Sequence, residues 1–157
     1  MTLEHTLSTQ PPTHRCGRRF TTPAIASLVF VQALIFVSAQ GKTTLDGIYT
    51  EAQAARGQKI YADSCATCHG DDLSGGGQTP PLTGKEFNMD WIELAMSDLF
   101  DRTRGTMPAD KPGTLRPEQA ADVIAYLLQK ATFPAGQTEL PADSAALKDI
   151  KFVGPKP

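Results

Sequence analysis

The segment YADSCATCHGDD sets Cys65 and Cys68 three positions apart and puts His69 directly behind the second thiol. Two thiols and an imidazole this close suit three kinds of chemistry. Zinc would take all three as ligands, but a structural site needs four. Beyond residue 39 the chain has no other cysteine or histidine. A redox dithiol normally sits near a βαβ pattern, and no strand-like alternation flanks this one. The third chemistry is attachment of c-type haem, for which C-x-x-C-H is the signature. One helical turn directs both sulfurs at one edge of the macrocycle, where two vinyl groups can each receive a thiol. His69 then turns Nε2 toward the iron. One covalent haem c is the cofactor expected.

The opposite axial position calls for a soft donor. His5 and His14 lie in the first forty residues, so the candidates are Met89, Met96 and Met107. Met96 falls inside an expected helix, where methionine usually fills core space. Met89 sits just before that helix. Met107 lies in the irregular stretch RGTMPAD, where packing gives it less reason to be present, and it is the candidate chosen.

The elements that must position these residues are helical. Thr50 and Gln53 have the spacing of a capping box and open a helix that runs into the cysteine motif. Asp90 and Glu93 form a second such signal, which opens DWIELAMSDLFDR. Pro117 suits a first helical position, and Ala120, Val123, Ile124 and Leu127 make an i, i+3, i+4, i+7 apolar stripe behind it. Glycine and proline break the stretches between. A further short helix is expected from Asp143 to Lys148. The unit from Tyr49 to Phe133 is small for a self-sufficient core, and domains of that size often lean on a metal or a prosthetic group.

Of the 157 residues, the first 39 read as a secretory signal peptide. Arg15, Arg18 and Arg19 precede a mostly apolar run from Ala24 to Val37, and Val37-Ser38-Ala39 resembles a processing site. The competing reading is a membrane anchor over residues 24–37, although a spanning helix needs roughly 20 apolar residues. Cleavage would remove three of 15 basic and one of 17 acidic residues, taking the formal net charge from −2 to −4. There is no basic stripe, so nucleic acid is not an expected partner. The organisation expected is therefore a leader over 1–39, the haem domain over 40–133 and a C-terminal extension over 134–157. Export implies a periplasmic location. SGGG is no phosphate loop, because no Lys-Ser/Thr pair follows it.

CATCHG, TPPLTG, GTMPA and DVIAYLLQKAT, in that order, resemble a monohaem class I cytochrome c. With DGIYTEAQAARG and FPAGQTELP flanking the haem domain, the likeness is closer to bacterial c-type domains that accompany quinoprotein and other periplasmic dehydrogenases, and it covers roughly residues 46 to 141. It implies an all-α class I cytochrome c fold of three main helices around one haem. It implies thioethers at Cys65 and Cys68 and axial ligands at His69 and Met107. The carbonyl of Pro80, or of Pro81 one position on, would accept a hydrogen bond from the other nitrogen of His69. Gly57 and Tyr61 would cross the last helix near Val123 and Tyr126. Where many relatives place Ser or Thr before that helix, this chain has Arg116, a weaker cap. Trp91, Arg102 and Arg104 are candidates for the haem propionates, with a core tryptophan and two solvated arginines as the equal alternative.

With histidine and methionine both bound, substrate finds no vacant position on the iron, so the expectation is an electron carrier and not an enzyme. Its partners would be redox proteins, a dehydrogenase as donor and an oxidase or another cytochrome as acceptor. The alternatives are a dedicated subunit of a periplasmic dehydrogenase, with the extension as its docking element, and a five-coordinate haem sensor.

Overall fold

The computed structural model describes residues 41–154; the expected leader and the possible anchor over 24–37 lie outside them. Two long helices make the frame. Helix α1, Glu51–Ser64, starts where the Thr50 hydroxyl accepts from the Gln53 amide at 3.1 Å. It buries Ala54, Gly57 and Tyr61 on one face, a spacing of three and four that keeps them in line. At its partner helix, here α5, Pro117–Lys130, the run from Ala120 to Leu128 is buried throughout. Each fully buried Val, Ile or Leu there contributes about 1.5–3 kcal/mol. The helices cross at Gly57, where a Cβ would lie 1.8 Å from the Asp122 carbonyl oxygen. Tyr61 and Tyr126 meet beside the crossing with ring centroids 5.3 Å apart. This is the crossing the family resemblance implies.

Arg56 closes the outer edge of the pair. Its guanidinium donates to both carboxylate oxygens of Asp122, at 3.0 and 2.9 Å, and to Glu139 at 2.9 Å. Arg116 supplies no capping side chain, as expected; instead the Gln119 carboxamide accepts from the Arg116 amide at 3.1 Å.

Between the motif and α5 the helix expected from Asp90 is divided. The residues form α3, Gly84–Trp91, and α4, Met96–Thr106, with α2, Ala66–His69, lying earlier at the motif. Asp90 caps nothing and lies inside α3. Ile92 to Ala95 are non-helical, and Glu93 takes a positive φ of 67°. The cause is non-local. The Glu93 amide donates to the Phe152 carbonyl, the Phe152 amide to Leu94, and the Met96 amide to Ile150, all at 2.8–2.9 Å. The local capping signal loses to a backbone partner some sixty residues away.

That partner is the segment after Phe133, which is spent on the core. Leu140, Leu147, Ile150 and Phe152 are all buried in one cluster with α1, α4 and α5. Gln53 does not return to cap α1; its buried carboxamide donates to the Leu140 carbonyl at 3.0 Å and accepts from the Leu140 amide at 2.7 Å. The expected short helix is present as α6, Ser144–Leu147. The far edge of the segment pairs with the start of the described chain, through Thr44 to Lys151 at 3.0 Å and Lys151 to Lys42 at 2.9 Å. These contacts amount to isolated bridges. Among the described residues the fold is all-α with no strand, and no helix is long and apolar enough to cross a membrane.

Candidate haem site

The motif turn is built by backbone bonding. The Cys65 amide ends α1 on the Tyr61 carbonyl at 2.8 Å, and the Cys65 carbonyl accepts from Cys68 at 3.1 Å and His69 at 2.9 Å. Cys65, Cys68 and His69 are thus held on one turn. Both cysteines are free thiols, Cys65 partly buried and Cys68 exposed. Burial, reinforced by the neighbouring Cys68, pushes the Cys65 thiol up to about 11, so it is protonated at neutral pH. The Tyr61 hydroxyl donates to the Gly70 carbonyl at 2.6 Å and ties the end of the turn to α1. Burial first, then Cys65, raises that hydroxyl to about 12, which keeps it a donor.

His69 is buried, and its Nδ1 lies 3.0 Å from the Pro80 carbonyl oxygen. A carbonyl only accepts, so Nδ1 is the donor, and in the neutral ring Nε2 then keeps its lone pair. The bond falls on Pro80, not on Pro81. Gly75 makes the approach possible. Its φ is +70°, its amide donates to the His69 carbonyl at 2.9 Å, and a Cβ there would lie 2.3 Å from the Thr79 oxygen and 2.8 Å from the Pro80 oxygen. The loop around it is closed by paired bonds between Gly76 and Thr79 and by the Leu82 amide on Leu73 at 2.9 Å.

Met107 stands outside this bonded cluster. It is the first residue beyond α4, extended and half-buried, with its amide on Thr103 at 3.1 Å. Met96 is fully buried, while Met89 is 64% exposed. Trp91 is half-buried, its ring 6.2 Å from that of Phe87, and Arg102 and Arg104 are exposed.

Two features escape the sequence reading. Gly75 is one of three consecutive glycines, and only the folded loop distinguishes it. The other is Asn88 of α3, whose Oδ1 is buried without a hydrogen-bond partner. An unpaired buried polar atom costs about 1–3 kcal/mol. A carboxamide turned over presents its NH2 at the same place, so this position suits an acidic group such as a haem carboxylate. With two free thiols and an imidazole of fixed tautomer on one turn, the residues present fit haem c.

Comparison with known proteins agrees. The family model for cytochrome c oxidase, cbb3-type, subunit III matches residues 52–127. A cytochrome c6 of Nostoc sp. is 34% identical over 110 residues, covering 68% of this chain and 93% of that one. A cytochrome c of Chlamydomonas reinhardtii is 31% identical over 106 residues, covering 52% of this chain and 95% of that one. Thiosulfate dehydrogenase of Stutzerimonas stutzeri is 41% identical over 79 residues, which are 46% of this chain and 26% of the enzyme; the chain thus spans about a quarter of that relative's length. The chain belongs to the cytochrome c family. It is an electron-transfer protein with covalently bound haem c, its Cys65 and Cys68 in the C-x-x-C-H spacing with His69.

Proposed function

We propose that the protein is a periplasmic one-electron carrier whose haem is bound through Cys65 and Cys68 and ligated by His69 and Met107. When bound, haem c supplies an iron centre that gains and loses one electron. The Cys65 and Cys68 thiols anchor the group to the turn. His69 offers Nε2, and the Pro80 carbonyl orients the ring and raises its basicity. The Met107 thioether is a soft donor that favours the reduced state, so His/Met ligation raises the reduction potential. With His69 and Met107 both holding the group, substrate and dioxygen would find no place on it, which separates this reading from a five-coordinate sensor. The bond from His69 Nδ1 to Pro80, beside two free thiols, is the observation that carries the proposal. The leader-like first 39 residues support a periplasmic location.

A role beside a dehydrogenase is the second reading, supported by the 41% identity to part of thiosulfate dehydrogenase. Its donor would be a dehydrogenase and its acceptor an oxidase or another cytochrome. Co-elution with a larger enzyme on purification supports a dedicated subunit, and a lone monomer supports a shuttle.

The ligation is tested by the weak far-red absorption of the oxidised protein. The expected result is that Met107→Ala loses it while Met89→Ala keeps it. Its absence from the unsubstituted protein, or its survival in Met107→Ala, would overturn the assignment, as would carbon monoxide binding to the reduced protein at neutral pH.

A further inference from the structure

We propose that residues 140–153 are a strap that holds α4, and with it Met107, in the ligating position; this rests on the Met107 reading above. A helix leaves its first amides without internal partners, normally answered by a side chain at the N-cap. Helix α4 starts after Ala95, which has no side chain able to do this. The Asp98 carboxylate takes the Ala95 amide at 3.1 Å, and the Met96 amide is taken by the Ile150 carbonyl at 2.8 Å. The strap therefore caps α4 from outside. It also fixes the linker in front, through Glu93 to Phe152 and Phe152 to Leu94, both at 2.9 Å.

Side chains add to the hold. Ser144 of α6 donates to Asp101 of α4 at 2.8 Å, and Leu147 is fully buried. Phe152 packs edge-on against Phe133 at 5.5 Å and Phe87 at 6.1 Å, so it joins α3 to the chain beyond α5. The strap is in turn anchored on α1 and on the segment in front of it. Gln53 grips Leu140 through both ends of its carboxamide. Thr44 Oγ1 exchanges bonds with the backbone of Val153 at 2.8 and 3.0 Å. Among the described residues no hydrogen bond joins residues 140–153 to the His69 loop, whose bonds run to α1 and within itself. Loosening residues 140–153 therefore acts first on the methionine side.

The consequence is a methionine ligand more easily displaced by an added competitor. The test uses the full holoprotein with Phe152→Leu, which keeps an apolar side chain, and Ile124→Val on α5 as a core change that leaves every hydrogen bond of the strap in place. Two quantities are read: the imidazole concentration at which the far-red absorption is half lost, and hydrogen exchange of the Met96 amide. Phe152→Leu is expected to lower that concentration about tenfold, equivalent to about 1.4 kcal/mol, and to speed Met96 exchange, while Ile124→Val moves neither. An unmoved concentration in Phe152→Leu, or an equal shift in both variants, would overturn the strap. Absence of the absorption from the unsubstituted protein would instead overturn the Met107 reading, and this proposal with it.

Discussion

Gly57 of α1 and Asp122 of α5 meet backbone to backbone, so closely that a Cβ on Gly57 would sit 1.8 Å from the Asp122 carbonyl oxygen and 2.4 Å from its carbon. Neither atom belongs to a movable side chain, so the helices themselves must separate to admit even a methyl group. Overpacking a core ordinarily costs about 1–3 kcal/mol. Gly57→Ala is expected at or above the upper end of that range, despite the better helix propensity of alanine. Denaturant unfolding of the holoprotein measures it, and a loss below about 1 kcal/mol would mean that the helices separate freely.

A side chain at Gly75 would meet Thr79 and Pro80 first and so act on His69, the proposed haem ligand. A side chain there presses on the Thr79 and Pro80 carbonyls and displaces the acceptor of the His69 proton. Without that bond the imidazole is a poorer donor, and the oxidised state loses stabilisation relative to the reduced state. Gly75→Ala is therefore expected to raise the reduction potential with the haem still covalently attached. A redox titration checks this, and an unchanged or lowered potential contradicts it.

Gln53 joins the first helix to the segment after Phe133 through two buried bonds to Leu140. Gln53→Leu keeps the bulk but strips Leu140 of both partners. Each buried group left unpaired costs about 1–3 kcal/mol, so for the two a total loss of about 2–6 kcal/mol is expected. The denaturant midpoint should fall with an unchanged slope, and exchange of the Leu140 amide should accelerate.

Acid should weaken the fold through carboxylates that folding makes more acidic. Hydrogen bonds from Arg56 hold Glu139 below its ordinary range, and Ser74 and Thr43 do the same for Asp72 and Asp46. Such groups contribute stability that is full above their unfolded values and is lost as pH falls through the lowered folded values. Their contribution is thus constant near neutrality and declines below about pH 4. Glu139→Gln is expected to make that decline shallower, by less than about 1 kcal/mol because the ion pair is exposed. Thermal unfolding across this pH range checks it; identical slopes in both proteins would contradict it.

What was legible in the sequence was what neighbours decide. Cys65, Cys68 and His69 lie within five residues, so their shared turn follows from spacing alone. Pro117 and the apolar stripe behind it place α5 for the same reason. The division between α3 and α4 was not legible, because Asp90 and Glu93 give a sound local start signal that only Ile150 and Phe152 override. Gln53 misled in the same way: it stands where a capping box needs it, yet its carboxamide is engaged by Leu140. The choice between Pro80 and Pro81 depended on how a loop folds around Gly75, which composition does not express.

The proposed function depends on the thiols of Cys65 and Cys68 being bonded to one haem, and the intact mass of the purified protein under denaturing conditions tests that most directly. The expected result is a chain heavier by a single macrocycle that acid and organic solvent do not strip, with the addition lost when both cysteines are replaced by alanine. A chain of bare polypeptide mass, or a haem that separates on denaturation, would contradict it.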